Sequence, residues 1–95
     1  MNSPAITLQS RLRPSADSLS RELDGQQVFL QLETEAYFGL DEVGTRIWEC
    51  LSSADTVGDA LKTLEGEFEV EPDELHRDVL ALAAELLERR LIVVE

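Results

Sequence analysis

Two side chains in this 95-residue sequence, Cys50 and His76, are of types that carry nucleophilic or proton-transfer chemistry. Cys50 falls on the apolar side of a predicted helix, without a partner at an activating spacing, and is interpreted as a buried structural thiol. His76 is the single histidine and stands among acidic residues, where a solvated or groove-edge side chain is commoner than a catalytic base. One cysteine excludes an intrachain disulfide and a zinc site built on paired thiolates. The sequence therefore predicts a protein that is not an enzyme and needs no cofactor, with its function on a surface.

The charge balance narrows the classes of partner. Twenty acidic and eight basic side chains give a net charge of −12. Such a surface repels phosphates and anionic lipid headgroups and attracts cationic partners, so we expect neither nucleic acid nor membrane binding. No stretch approaches the ~20 apolar residues that span a bilayer. The start of the sequence lacks a basic segment followed by an apolar run, so a cytoplasmic location is expected.

The elements that must position a binding surface begin with a β-meander. Alternating Leu19, Arg21 and Leu23 predict a strand from residue 18, and Asp24-Gly25 is a typical two-residue hairpin turn. A second strand is predicted over 26–32 and, after a turn at 33–35, a third over 36–40. Residues 1–17 are expected to be a loosely ordered arm, with a strand at 5–9, and 18–95 to be the domain.

Three helices follow, because the apolar period changes from two to between three and four. They are predicted over about 42–52, from Thr56 to Gly66, and from Pro72 to about Arg90. Residues 91–94 form a β-like tail. This order predicts one α+β domain of the winged helix-turn-helix-like class, with a three-stranded antiparallel meander followed by three α-helices.

The third predicted helix is apolar over about twice the width that a surface helix needs. One stripe along this helix is enough to pack against a core: Leu75, Val79, Leu82 and Leu86. The apolar surface is made wider by four more residues: Leu80, Ala83, Ala84 and Leu87. Either the strands and the arm cover this extra stripe, or it is the floor of a groove. The third strand lies at a sheet edge unless the arm covers it, so an extended peptide can add to it there.

The segment 36–48, Ala-Tyr-Phe-Gly-Leu-Asp-Glu-Val-Gly-Thr-Arg-Ile-Trp, resembles the PqqD-like family. Members typically show an aromatic pair, then Leu-Asn, then a helix with Gly-x-x-Ile-Trp. Asp41 stands here where Asn is commoner, at a helix cap that accepts either. The resemblance extends over about residues 18–94, through Thr56-Val57, the segment 68–70 and the long helix before residues 91–93.

This resemblance implies a non-catalytic recognition element that binds the leader segment of a ribosomally made precursor peptide. In the family the leader adds as a strand to the third strand and lies against the third helix. Stand-alone members of this length are similar to the recognition proteins of lasso-peptide pathways, whose partners are a cysteine protease-like leader peptidase and a cyclase. Pyrroloquinoline quinone and radical-SAM pathways use similar chains. The leader-binding residues expected here are Leu32, Glu33, Thr34, Glu35, Ala36, Tyr37, Phe38, His76, Val79, Leu80, Ala83 and Leu87.

Two rival functions share the predicted fold class. A DNA-binding winged helix is disfavoured, because the third helix carries Glu74, Asp78, Glu85 and Glu88, which would face phosphates. A structural or regulatory subunit whose groove is filled permanently by another protein stays open on the residues alone.

Overall fold

The computed structural model describes residues 6–95, which form five strands and three helices. The elements in chain order are β1 (Leu12–Pro14), β2 (Ser18–Leu23), β3 (Gln26–Gln31), β4 (Ala36–Gly39), α1 (Glu42–Ser53), α2 (Val57–Glu67), α3 (Pro72–Glu88) and β5 (Ile92–Val94). The predicted α+β class, a three-stranded meander followed by three helices, is confirmed.

The meander is an antiparallel sheet in the order β2-β3-β4. Its first turn uses Asp24 and Gly25, both with positive φ (53° and 81°), as the Asp-Gly pair predicts. The second turn, residues 32–35, closes with the Glu35 N–H donating to Gln31 O at 2.7 Å. Glu35 also has positive φ (61°). Both hairpins therefore place their strands in a fixed register, with Phe29 opposite Phe38 and Leu30 opposite Tyr37.

Side-chain caps set the starts of the first two helices. Asp41 Oδ1 accepts from Gly44 N–H (2.7 Å) before α1, and Thr56 Oγ1 accepts from Asp59 N–H (3.1 Å) before α2. Gly66 does not end α2 as expected: the helix continues to Glu67 and then leaves through Phe68 in an extended conformation. No left-handed residue is needed for that exit.

The core lies between the meander and the helices. Phe29 meets Trp48 edge to face with ring centroids 5.5 Å apart. Val79, Ala83 and Leu86 of α3 have no exposed surface. Each helix therefore buries one stripe against the sheet or its neighbours, and Cys50 lies inside this core.

Residues 6–17 differ from the expected loose arm. Residues 6–9 contain a turn where a strand was expected, residue 5 lies outside the described residues, and β1 pairs antiparallel with β5. Leu12 is only 1% exposed. The carbonyls of Leu8 and Ser10 accept from Gly58 N–H (2.8 Å) and Val57 N–H (2.9 Å), which caps the first turn of α2. The segment thus packs as part of the fold, and a domain boundary at residue 18 stays a prediction.

Among residues 6–95, no helix has both the length and the apolar composition to cross a membrane.

Candidate functional site

β4 is an edge strand whose outer side is unpaired within the described residues. Leu40 N–H donates to Gln27 O at 2.8 Å, which continues the β3–β4 ladder by one residue. Because antiparallel ladders alternate, the backbone groups of Ala36 and Phe38 also face β3, and those of Tyr37 and Gly39 face outward. The edge therefore presents backbone donors and acceptors to any extended chain that approaches it.

A cleft of about 350 Å³ opens beside this edge, between the β3–β4 hairpin and the end of α3. We use "the cleft" for this space. It is lined by Gln31, Glu33, Thr34, Ala36, Tyr37, Phe38, Glu88, Arg89, Arg90 and Leu91. Five predicted site residues therefore line it: Glu33, Thr34, Ala36, Tyr37 and Phe38. Leu32 and Glu35 belong to the same turn and are exposed, without lining the cleft.

The two aromatic residues of β4 point to opposite faces of the sheet. Tyr37 is 73% exposed, whereas Phe38 is half-buried against the core. The Arg89 guanidinium carbon lies 4.6 Å from the Phe38 ring centroid, within the range of a cation–π contact. Arg89 also donates to Glu85 Oε2 at 3.2 Å. The Arg89–Phe38 contact places the end of α3 beside β4.

The structure separates the α3 residues predicted for the site. Val79 and Ala83 are 0% exposed and belong to the core, so neither can touch a ligand, and we remove them from the candidate surface. His76, Leu80 and Leu87 are half-buried and do not line the cleft. Helical geometry places Glu85 and Arg89 about 140–180° around the axis from Leu80, on the other flank of the core stripe.

Arg89, the residue just after α3, contacts Phe38 of β4, so the flank of the helix in line with Arg89 is the one directed to β4. Asp78, Leu82, Glu85 and Arg89 recur at spacings of four, three and four, which aligns them on one flank. We call these four residues the β4-side stripe. Sequence reasoning missed Arg89 and Arg90, since two arginines at a helix end indicate only countercharges for the helix dipole.

A second apolar surface covers the opposite face of the sheet. Register and alternation place Leu19, Leu30 and Tyr37 in one row across the three strands. Leu19 is 58% exposed, and with Leu23 and Val28 this row surrounds a depression of about 480 Å³. We call Leu19, Leu23, Val28, Leu30 and Tyr37 the outer face. Leu19, Leu23 and Tyr37 are exposed, Val28 and Leu30 are half-buried, and Arg21 lies among them; apolar patches rimmed by polar residues mark interaction surfaces.

The groups with shifted pKa values lie away from the cleft. Burial raises the pKa of the Cys50 thiol, and the positive charge of Arg46 opposes that shift. Hydrogen bonding to Arg46 lowers the pKa of Glu67. The raised pKa keeps the Cys50 thiol protonated. Among residues 6–95, no three His, Cys, Asp or Glu side chains cluster to hold a metal ion.

Three comparisons place this geometry among known proteins. The family model described as Coenzyme PQQ synthesis protein D (PqqD) matches residues 26–92. The solved structure of TbiB1 in complex with the TbiA(beta) leader peptide is 30% identical, with a TM-score of 0.77, over 84% of this chain and 93% of that one. A lasso peptide synthetase B1 complexed with the leader peptide is 26% identical, with a TM-score of 0.76, over 90% of this chain and 98% of that one. No curated protein matches significantly.

Proposed function

Because the chain belongs to the PqqD family, we propose that it binds the leader segment of a ribosomally made precursor peptide without changing any covalent bond in it. The observation that carries this function is the outer edge of β4 beside the cleft, with which no strand of residues 6–95 pairs. Two proteins of the same fold, 30% and 26% identical, are solved with leader peptides bound, which supports the same class of ligand here.

Binding proceeds by strand addition. The leader pairs with the outward backbone groups of Tyr37 and Gly39, and each backbone hydrogen bond contributes ~1 kcal/mol net. Alternate leader side chains then point towards the helices, where Phe38 and the β4-side stripe receive them. Several such bonds with one or two buried apolar anchors give a binding free energy of about −8 kcal/mol, which corresponds to a micromolar dissociation constant.

The pathway is proposed to be that of a lasso peptide, with a cysteine protease-like leader peptidase and a cyclase as enzyme partners. A strand added to β4 widens the sheet by one strand, so the outer face and the bound leader form one continuous surface. We place the peptidase contact on that surface, because Leu19 and Tyr37 are exposed there beside Leu30. The protein thereby raises the local concentration of precursor at its enzyme.

Strand addition is tested by selecting displayed random peptides on the wild-type chain and titrating the recovered peptide against two variants. Gly39→Pro removes one outward N–H from the edge, whereas Gly39→Ala keeps it. A Cβ at Gly39 meets no atom within 4 Å, so Gly39→Ala does not crowd the fold, and urea unfolding verifies that Gly39→Pro is folded before it is titrated. We expect Gly39→Pro to weaken binding about fivefold, the loss of one hydrogen bond, with Gly39→Ala unchanged. If no peptide is recovered, or Gly39→Pro binds like Gly39→Ala, binding at this edge is contradicted.

The enzyme contact is tested separately with Leu19→Glu. This change places a charge on the outer face, away from the β4 edge, so peptide affinity stays constant. The rate at which a leader peptidase cleaves the bound precursor is expected to fall. An unchanged cleavage rate would exclude the outer face as the peptidase contact.

A further inference from the structure

Gln31 occupies a core-facing position of β3 although it is polar. It points to the same side of the sheet as Phe29, two residues earlier, and is 4% exposed. Burying a carboxamide costs free energy unless its hydrogen bonds are made, and an apolar side chain of similar size would fill the space without that cost. The groups that Gln31 binds therefore indicate what the amide contributes.

The Gln31 amide joins the two walls of the cleft. Its Oε1 accepts from the backbone N–H groups of Glu33 (2.6 Å) and Thr34 (3.4 Å) in the β3–β4 turn. Its Nε2 donates to the backbone carbonyl of Arg90 (3.4 Å), just past the end of α3. One buried side chain thus fixes the turn that precedes β4 and ties it to the residue that follows the helix.

The neighbouring strand supplies a parallel contact. Ser18, the cross-strand partner of Gln31, donates its hydroxyl to the carbonyl of Leu91 at 2.9 Å. Leu91 O also accepts from Ser15 N–H at 3.0 Å, so it is held twice. Within residues 6–95, the carbonyl of Arg90 accepts only the Gln31 amide. The cleft-side half of this connection therefore depends on Gln31.

The other contacts across the cleft are solvent-exposed. Arg90 Nη1 lies 3.2 Å from Glu33 Oε1, with exposed fractions of 74% and 57% for the two side chains. Exposed ion pairs of this kind contribute little and are screened by salt. The Arg89 contact on Phe38 is also partly exposed. Among the contacts across the cleft in residues 6–95, those of Gln31 are therefore the buried ones.

We propose that Gln31 is a positioning residue for peptide binding: its amide sets the separation of the β3–β4 turn and the end of α3 before the peptide arrives. This inference rests on the proposed function. A site whose walls are held in place loses less conformational entropy on binding than one that must order itself. Gln31 needs no contact with the peptide to have this effect.

The test uses the peptide recovered on the wild-type chain, labelled with fluorescein, and three variants of the full chain. Gln31→Met removes all three hydrogen bonds at similar volume. Gln27→Met is the matched control, since Gln27 is half-buried in the same strand and does not line the cleft. We expect Gln31→Met to bind about tenfold more weakly and Gln27→Met to bind like wild type. Urea unfolding of each variant verifies that binding is measured on folded protein.

Gln31→Glu separates positioning from space filling and serves also if Gln31→Met fails to fold. A carboxylate still accepts from the turn but donates to the Arg90 carbonyl only when protonated. Its affinity relative to wild type at the same pH should therefore recover as the pH is lowered. Two results would overturn this inference while leaving the proposed function intact, provided that the wild type binds at this edge. One is that Gln31→Met binds the peptide as tightly as wild type. The other is that the affinity of Gln31→Glu relative to wild type does not change with pH. Failure to recover any peptide on the wild type overturns the proposed function and this inference with it.

Discussion

Ala83 and Ala84 are adjacent in α3 but have opposite environments, and this contrast gives a prediction at the scale of single residues. Ala83 is 0% exposed and Ala84 is exposed. Ala83→Arg buries a charge without a partner and should lower the free energy of unfolding by about 3 kcal/mol or more. Ala84→Arg should change it by less than about 0.5 kcal/mol. Urea unfolding checks both. A stable Ala83→Arg chain would show that this position faces solvent and would return it to the candidate surface.

Single residues of the site were only partly predictable from the sequence. Strand alternation alone places Tyr37 and Phe38 on opposite faces of β4, because a strand has a fixed period of two. The apolar arc of α3 is so wide that helical periodicity does not show which of its residues pack in the core and which face a ligand. Gln31 was missed because a polar residue at the end of an apolar strand gives no sign of its hydrogen-bond partners, which are distant in sequence or in a turn.

At the scale of elements, the ion pair between α1 and α2 gives a pH-dependent prediction. Arg46 Nε donates to Glu67 Oε1 at 2.8 Å, and this hydrogen bond lowers the Glu67 pKa. A lowered folded-state pKa stabilises the fold above the normal carboxyl pKa of about 4.3, and that contribution is lost as pH falls through the lowered value. Glu67→Gln should therefore reduce the urea midpoint near neutral pH and match wild type in acid. Glu65→Gln, two residues away and exposed, is the control; a Glu67→Gln deficit that persists in acid contradicts the prediction.

The first strand gives a second prediction at this scale. Leu12 of β1 is buried, whereas Leu8 is 45% exposed. Leu12→Ala should lower the free energy of unfolding by about 3 kcal/mol, and Leu8→Ala by much less. Neither should alter the affinity for peptide, because no residue of 6–17 lines the cleft. Urea unfolding and peptide titration measure the two effects. Tighter peptide binding by Leu12→Ala would indicate that this segment competes for the site.

The sequence predicted those elements whose signals lie within the element itself or at its ends. The meander and all three helices begin and end within a few residues of their predicted bounds, since turns, caps and periods are short-range signals. The β1–β5 pairing escaped prediction because it joins two three-residue strands from opposite ends of the chain. No periodicity in either segment indicates its partner.

At the scale of the whole molecule, the net charge of −12 acts on any ligand that approaches the cleft. The two arginines at the cleft are each paired with a carboxylate, Arg89 with Glu85 and Arg90 with Glu33. Glu88 also lines the cleft, so three carboxylates (Glu33, Glu85 and Glu88) stand against two guanidinium groups there. The local balance of −1 has the same sign as the total, so a basic leader segment is attracted over distances longer than a hydrogen bond.

This field predicts how fast peptides of different charge associate. The peptide recovered on the wild-type chain, extended with lysines, should associate faster as ionic strength falls, because the Debye length grows beyond about 10 Å below 0.1 M salt. The same peptide extended with glutamates should slow down. Stopped-flow fluorescence measures both rates. Glu88→Gln and Glu69→Gln each remove one charge, the first at the cleft and the second away from it. If steering is a property of the whole surface, both variants reduce the association rate of the lysine peptide similarly. If only Glu88→Gln has an effect, and it changes the dissociation rate and not the association rate, the attraction is a local contact and the steering prediction is wrong.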